Sequence, residues 1–254
     1  MTALAAPVVC ELHDGVKVIR LNRPAKRNAL TADMCRMIAS ELPAADAAPS
    51  AVRAVLLAGQ GPAFCAGADL GSGAESGVYG SEFHTALFGL LQAIVATPVP
   101  VIADIQGPAV GAGTQVALAC DVRLAGPKAW FGVPAAALGF ALDGWTIQRA
   151  QSLLGGAVAR NMLLSNQRVS VEQASAVGFV IPQLPGEALG FAQEVAGLAP
   201  LAMQQLKVAL NEHDSSYQLG ARAQELFDVC WSSADAQEAR QARVEKRAPV
   251  FHGR

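Results

Sequence analysis

The chain has 254 residues, 52% of them hydrophobic and 16% charged, with a formal net charge of −2. That length suits one large α/β domain, or a core with a docked helical tail, and so apolar a chain can bury a substantial core. The near-neutral charge removes the electrostatic case for nucleic acid or an acidic membrane as main partner.

The first predicted element is a hairpin: Val8 to Leu12, a turn at Asp14-Gly15, then Val16 to Leu21 with alternating apolar residues. Thr31 can cap a helix running to about Ala45 and ended before Pro49. Ala54 to Ala58, flanked by Gly59 and Gly61, has the look of a buried parallel strand. A Gly/Ser loop from Gly71 to Gly80 leads into a helix ending near Ala96. Val99 to Ile105 is a second buried strand. A glycine-rich turn follows, then a helix from about Ala112 to Cys120 and a third strand at Asp121 to Ala125. Strands alternating with helices argue for stacked βα units. From Leu142 onward the pattern is almost wholly helical, with turns near Gly155, Ser165, Gly178 and Pro200. The expected organisation is a core over 1–185 and a helical region over 186–254, joined as one unit by a loop near Pro182 to Gly186.

Five dispersed cysteines (Cys10, Cys35, Cys65, Cys120, Cys230) without a C-x-x-C pair read as reduced, mostly buried thiols. Met1 to Cys10 lacks the basic and apolar regions of a signal peptide. The apolar stretches are broken by Pro, Asp or Gly well before membrane-spanning length. The expectation is a cytoplasmic protein with no membrane span.

Two glycine-bearing turns are the strongest candidates for chemistry. One is Ala63-Phe64-Cys65-Ala66-Gly67-Ala68-Asp69-Leu70. The other is Gly107-Pro108-Ala109-Val110-Gly111-Ala112-Gly113, which runs straight into a helix. Small residues let a ligand approach the main chain, and a helix start offers unpaired N–H groups. Two such turns converging would hold an oxyanion, each donor worth roughly 3 kcal/mol. Taken singly, each reads first as a tight strand-to-helix connection. No G-x-G-x-x-G, G-K-[ST] or G-x-S-x-G is present, which removes dinucleotide, P-loop and serine-hydrolase readings. The four histidines show no metal-ligand spacing, and His84 reads as a surface residue rather than a catalyst.

In order and spacing, these segments resemble the crotonase (enoyl-CoA hydratase/isomerase) superfamily. Asn22-Arg23-Pro24 with Asn28-Ala29-Leu30, Phe64 to Asp69, Pro100 to Asp121, Val169 to Val180 and Val244-Glu245-Lys246-Arg247 carry the likeness over nearly the whole chain. The resemblance implies an α/β fold, a right-handed spiral of ββα units whose C-terminal helices form homotrimers, often paired into hexamers. It places the oxyanion donors on the backbone N–H of Ala68 and Ala112, and lays coenzyme A along the two loops with adenine near the backbone of Cys65 and Ala66, beside Asp69. Arg23, Lys26 and Arg27, with Lys246 from a neighbouring subunit, would face its phosphates; without that context they read as a solvated surface. No cofactor is implied beyond the thioester itself.

The departures from the family decide the chemistry. Its hydratases use two glutamates, and the matching positions here are Gln115 and Ala135. Neither side chain can exchange a proton near neutral pH. Asp143 resembles the aspartate of dienoyl-CoA isomerases and aromatic acyl-CoA dehalogenases, but the partner residue of each is missing. Asp143 also reads as a helix N-cap, and the two roles are compatible. Phe131, Ala135, Phe140, Leu142 and Trp145 would line a dry acyl pocket, each buried methylene worth about 0.8 kcal/mol. Core packing is the competing role, above all for Phe131.

Gln115, Ala135 and the Ala141-Leu142-Asp143 turn together resemble a subgroup of mycolate-producing actinobacteria that binds long-chain acyl-CoA and is linked to lipid synthesis. The expectation is an acyl-CoA-binding protein with little or no hydratase activity, with a lipid-synthesis enzyme as a partner. The alternatives are a single-acid enzyme using Asp143, for isomerisation or thioester hydrolysis, and a scaffold that binds no acyl-CoA.

Overall fold

The computed structural model describes residues 6–45, 51–69, 81–138, 141–212, 222, 225–226, 229 and 232–254. The Gly71–Gly80 loop, Phe140, His213 and Cys230 lie outside them.

Strand β1 (Val8–His13) and β2 (Val16–Leu21) form the expected antiparallel hairpin. Helix α1 (Ala32–Glu41) starts at Thr31, whose side chain accepts the Met34 N–H at 3.2 Å. It stops earlier than the expected Ala45, because Pro43 forces Leu42 into extended backbone. Strands β3 (Ala54–Gly59), β4 (Val101–Ile105), β6 (Val122–Ala125) and β9 (Ile181–Pro182) complete a six-stranded sheet in the order β1-β2-β3-β4-β6-β9, parallel from β2 onward.

That sheet has two covered faces. Ile19, Leu57, Val101 and Ile105 face one core cluster, with helices α2 (Ser81–Ala96) and α3 (Ala112–Ala119). Val16, Val18, Leu56 and Ile102 face the other, where α7 (Ala188–Ala196) lays down Ala188, Ala192 and Ala196. Residues four apart share one helix face, and small ones let the helix lie close to the sheet. Burial on both faces is why β3 reads as an unbroken apolar run.

The almost wholly helical expectation after Leu142 needs correction. Strand β8 (Val169–Ser170) pairs antiparallel with β7 (Trp130–Gly132), which pairs parallel with β5 (Ala109–Val110), making a second small sheet. Helices α4 (Gly144–Leu154), α5 (Gly156–Leu164), α6 (Val171–Ala176), α8 (Pro200–Asn211) and α9 (Ala234–Glu245) supply the rest.

Two polar anchors bind the C-terminal region to the core. From α8, Lys207 Nζ donates to the carbonyls of Ile94 and Val99, both at 2.9 Å, and pairs with Asp121 at 2.7 Å. Buried Asp235 accepts the amides of His252 and Gly253, and Arg53 donates to the Phe251 carbonyl at 2.8 Å. No described helix is long and apolar enough to cross a membrane.

Candidate functional site

The first glycine turn is held by the segment preceding α1. Fully buried Asn28 donates to the carbonyls of Gln60 and Ala63 and accepts the Arg23 N–H at 2.9 Å. Leu30 bridges to Ala68 in parallel fashion: its N–H donates to Gly67, and its carbonyl accepts from Asp69, both at 2.8 Å. Those two bonds use the neighbours of Ala68 and leave the Ala68 N–H without a partner among the described residues. The second turn docks on the first through Cys65. Its N–H donates to Pro108 at 3.1 Å, and its carbonyl accepts from Val110 at 2.9 Å. Ala112 is the first residue of α3, so its N–H has no intrahelical acceptor. Gly67 (φ 102°) and Gly111 (φ 54°) sit where the two turns meet, in backbone conformations that side chains disfavour.

Ala68 and Ala112 line one cavity of about 740 Å³. Phe83, Leu87, Phe88 and Leu91 of α2 give it an apolar wall, joined by Val133 and Leu138 from the segment after β7. None of these six residues was singled out from the sequence. In an apolar helix such as α2, the stripe facing the core and the stripe facing a cavity look alike. His84, expected at the surface, is exposed and also lines this cavity.

Gln115, Ala135, Leu142 and Asp143 line the cavity as well. Phe131 does not: it is fully buried and packs edge-on against Phe179, with ring centres 5.0 Å apart. Trp145 packs against the main core cluster and is absent from the cavity wall. The expected pocket role of Phe131 is therefore corrected to a core one, whereas half-buried Trp145 packs on that core outside the described cavity wall.

The polar end of the cavity is a chain of three side chains. Asp143 caps α4, accepting the Thr146 N–H at 2.8 Å on Oδ1. Its Oδ2 accepts the Thr146 hydroxyl at 2.7 Å and Gln115 Nε2 at 3.4 Å. Thr146, fully buried, gives its one proton to Asp143 and so accepts from Gln115 Nε2 at 2.9 Å. The opposite amide orientation would set Gln115 Oε1 against two acceptors. The carbonyl oxygen of the amide is thus left for the cavity, with no partner among the described residues. Asp143 is both cap and cavity residue, as its two compatible roles allow.

The residues expected to face a nucleotide come together only in part. Arg23 is engaged internally: it pairs with Asp69 at 2.8 Å and donates to the Ala29 carbonyl at 2.7 Å. Neither member of that pair presents an uncompensated charge to a phosphate. Lys26 and Arg27 are exposed, and the Arg27 carbonyl accepts the Ala66 N–H at 2.9 Å, which sets this segment beside the first turn. Ala66 lines the cavity, whereas both backbone polar groups of Cys65 are spent on the second turn. Lys246 follows α9, exposed and outside the cavity wall.

Burial pushes the Cys65 thiol up to about 12, and Cys35 and Cys120 likewise. At neutral pH iodoacetamide is therefore expected to modify exposed Cys10 and to spare Cys35, Cys65 and Cys120 in the native protein. Peptide mass mapping reads this, and comparable labelling of Cys65 and Cys10 would contradict it. No group of metal-binding side chains occurs among the described residues.

Known proteins share this architecture. The family model described as enoyl-CoA hydratase/isomerase matches residues 11–254. A Mycobacterium leprae protein described as "Probable enoyl-CoA hydratase echA6" is 41% identical over 244 residues, covering 94% of this chain and 97% of its own. The 2,3-dehydroadipyl-CoA hydratase of Escherichia coli is 35% identical over 248 residues, covering 94% and 96%. Among solved structures, an enoyl-CoA hydratase/carnithine racemase from Magnetospirillum magneticum superposes with a TM-score of 0.84 at 26% identity, covering 98% of this chain and 96% of that one. An enoyl-CoA hydratase from Bacillus anthracis gives 0.82 at 26% identity, covering 98% and 100%.

Proposed function

The chain belongs to the enoyl-CoA hydratase/isomerase family and has its α/β crotonase fold; on that premise we propose that it binds a long-chain acyl-CoA thioester and hydrates it little or not at all. One observation carries this reading. Among the described residues of the cavity wall, Asp143 is the only carboxyl group, and His84 the only other ionisable side chain. Hydration by two carboxylates needs a second acid, and Gln115 and Ala135 offer none. Two unpaired N–H donors and a largely apolar wall suit a bound thioester, and the missing second acid is what favours holding it over hydrating it.

Lys26 and Arg27 are the cations suited to the phosphates of coenzyme A, with Lys246 joining from another subunit of a trimer or dimer of trimers. A cytoplasmic place in lipid synthesis, handing acyl-CoA to a partner enzyme, belongs to the same reading. The apolar wall supports its long-chain part, because affinity grows with each methylene removed from water.

A second reading is favoured by Asp143 alone: a single-acid enzyme isomerising enoyl-CoA or hydrolysing the thioester. The test is a panel of acyl- and enoyl-CoA thioesters with binding and turnover scored separately. Calorimetric binding without hydration is the expected result. Robust hydration lost in Gln115→Ala or Asp143→Ala would sink the first reading. Isomerisation or hydrolysis abolished in Asp143→Asn would establish the second. Asn keeps the helix cap, so Asp143→Asn is expected to melt near the native protein, while Asp143→Ala loses about 1 kcal/mol in urea unfolding.

A further inference from the structure

Helix α2 presents two stripes. Phe83, Leu87, Leu90, Leu91 and Ile94 are buried, and Phe83, Leu87 and Leu91 among them also meet the cavity. Thr85, Gly89 and Gln92 form a ridge at i, i+4 and i+7, and all three line the cavity. The middle of that ridge has no side chain.

Nothing in the backbone or the packing demands glycine there. Gly89 is helical and is not among the positive-φ residues, and a Cβ added to it would meet nothing within 4 Å among the described residues. A glycine inside a helix costs roughly 1 kcal/mol against alanine. Gly190 of α7 also has open space around it but lies outside the cavity wall. What distinguishes Gly89 is that its open space lies on the cavity wall. Phe88 and Leu138, cavity residues that are 42% and 49% exposed, show that the apolar wall continues into solvent.

We propose that the Gly89 notch is the passage by which a long acyl chain leaves the cavity across α2, making Gly89 the residue that sets the acyl length the protein accepts. This rests on the acyl-CoA reading above. A short acyl group ends inside the cavity and never reaches the notch. A longer one needs it, and a side chain at position 89 would turn its end back.

The test is calorimetric titration of the full-length protein with butyryl-, octanoyl-, lauroyl- and palmitoyl-CoA. Native affinity is expected to climb along the series, by up to about fourfold per methylene while the chain stays buried. In Gly89→Leu the climb should stop early, and the ratio of palmitoyl to butyryl affinity should fall at least about tenfold, the cost of two or more methylenes left in water. Gly89→Ala should lower the ratio less and raise the melting temperature, which also checks that the helix tolerates a side chain. An unchanged ratio in folded Gly89→Leu would overturn the proposal. Should the native protein bind none of the four thioesters, the acyl-CoA reading itself fails and the notch loses its role with it.

Discussion

Lys207→Ala is expected to destabilise the protein by about 3–5 kcal/mol and to lower its melting temperature by roughly 10 °C. The Lys207 side chain is only 5% exposed, and its ammonium satisfies three acceptors on two segments: the Ile94 and Val99 carbonyls at the end of α2 and the Asp121 carboxylate before β6. Burial pushes its pKa down, and the charge of Asp121 works against that shift. Truncation removes a cation already taken out of water and leaves its acceptors without it, the costly way to break such a pair. Lys207→Met keeps the apolar stem but should recover only a minor part of the loss. Urea unfolding measures both variants, and a loss under about 1 kcal/mol for Lys207→Ala would mean the acceptors find water instead.

Gly113→Ala is expected to unseat the proposed oxyanion donors. An added Cβ would overlap the Cys65 carbonyl oxygen and lie 2.8 Å from the Cys65 Cβ. That carbonyl accepts the Val110 N–H, one of the bonds locking the two turns together. Overpacking costs about 1–3 kcal/mol. Acyl-CoA affinity should fall by roughly tenfold as the Ala68 and Ala112 donors move apart, about the worth of one hydrogen bond. Ala112→Gly keeps the backbone N–H and should change affinity far less. Equal losses in the two variants would show that the spacing of the turns is not what holds the ligand.

Much of this architecture is legible in the sequence because local rules dictate it. The Asp14-Gly15 turn, the Thr31 and Asp143 caps and the apolar run of β3 each follow from a few neighbouring residues. Strands β5, β7, β8 and β9 are only two or three residues long, too short to show any period, and β8 abuts a helix. The site divides the same way. Ala68, Ala112, Gln115, Ala135 and Asp143 lie in turns or at helix starts, and all reach the cavity. Arg23 looked like a cation for phosphate because its partner, Asp69, is 46 positions away. Phe131 looked like a pocket ring because hydrophobicity does not record which way a side chain points. The Lys207–Asp121 pair escaped notice for the same reason as the Arg23 pair.

The Asp143–Thr146–Gln115 chain also bears on how such a site can change over evolutionary time. A carboxylate introduced by Gln115→Glu would meet Asp143 Oδ2 where an amide now donates from 3.4 Å, and Thr146 has a single proton to share between them. Two facing carboxylates resist ionising together, so one would keep its proton. An acid at position 115 alone would therefore produce an electrostatic conflict with Asp143. The amide is the neutral member of a linked pair, so placing a second acid beside it would require a change at Asp143 as well.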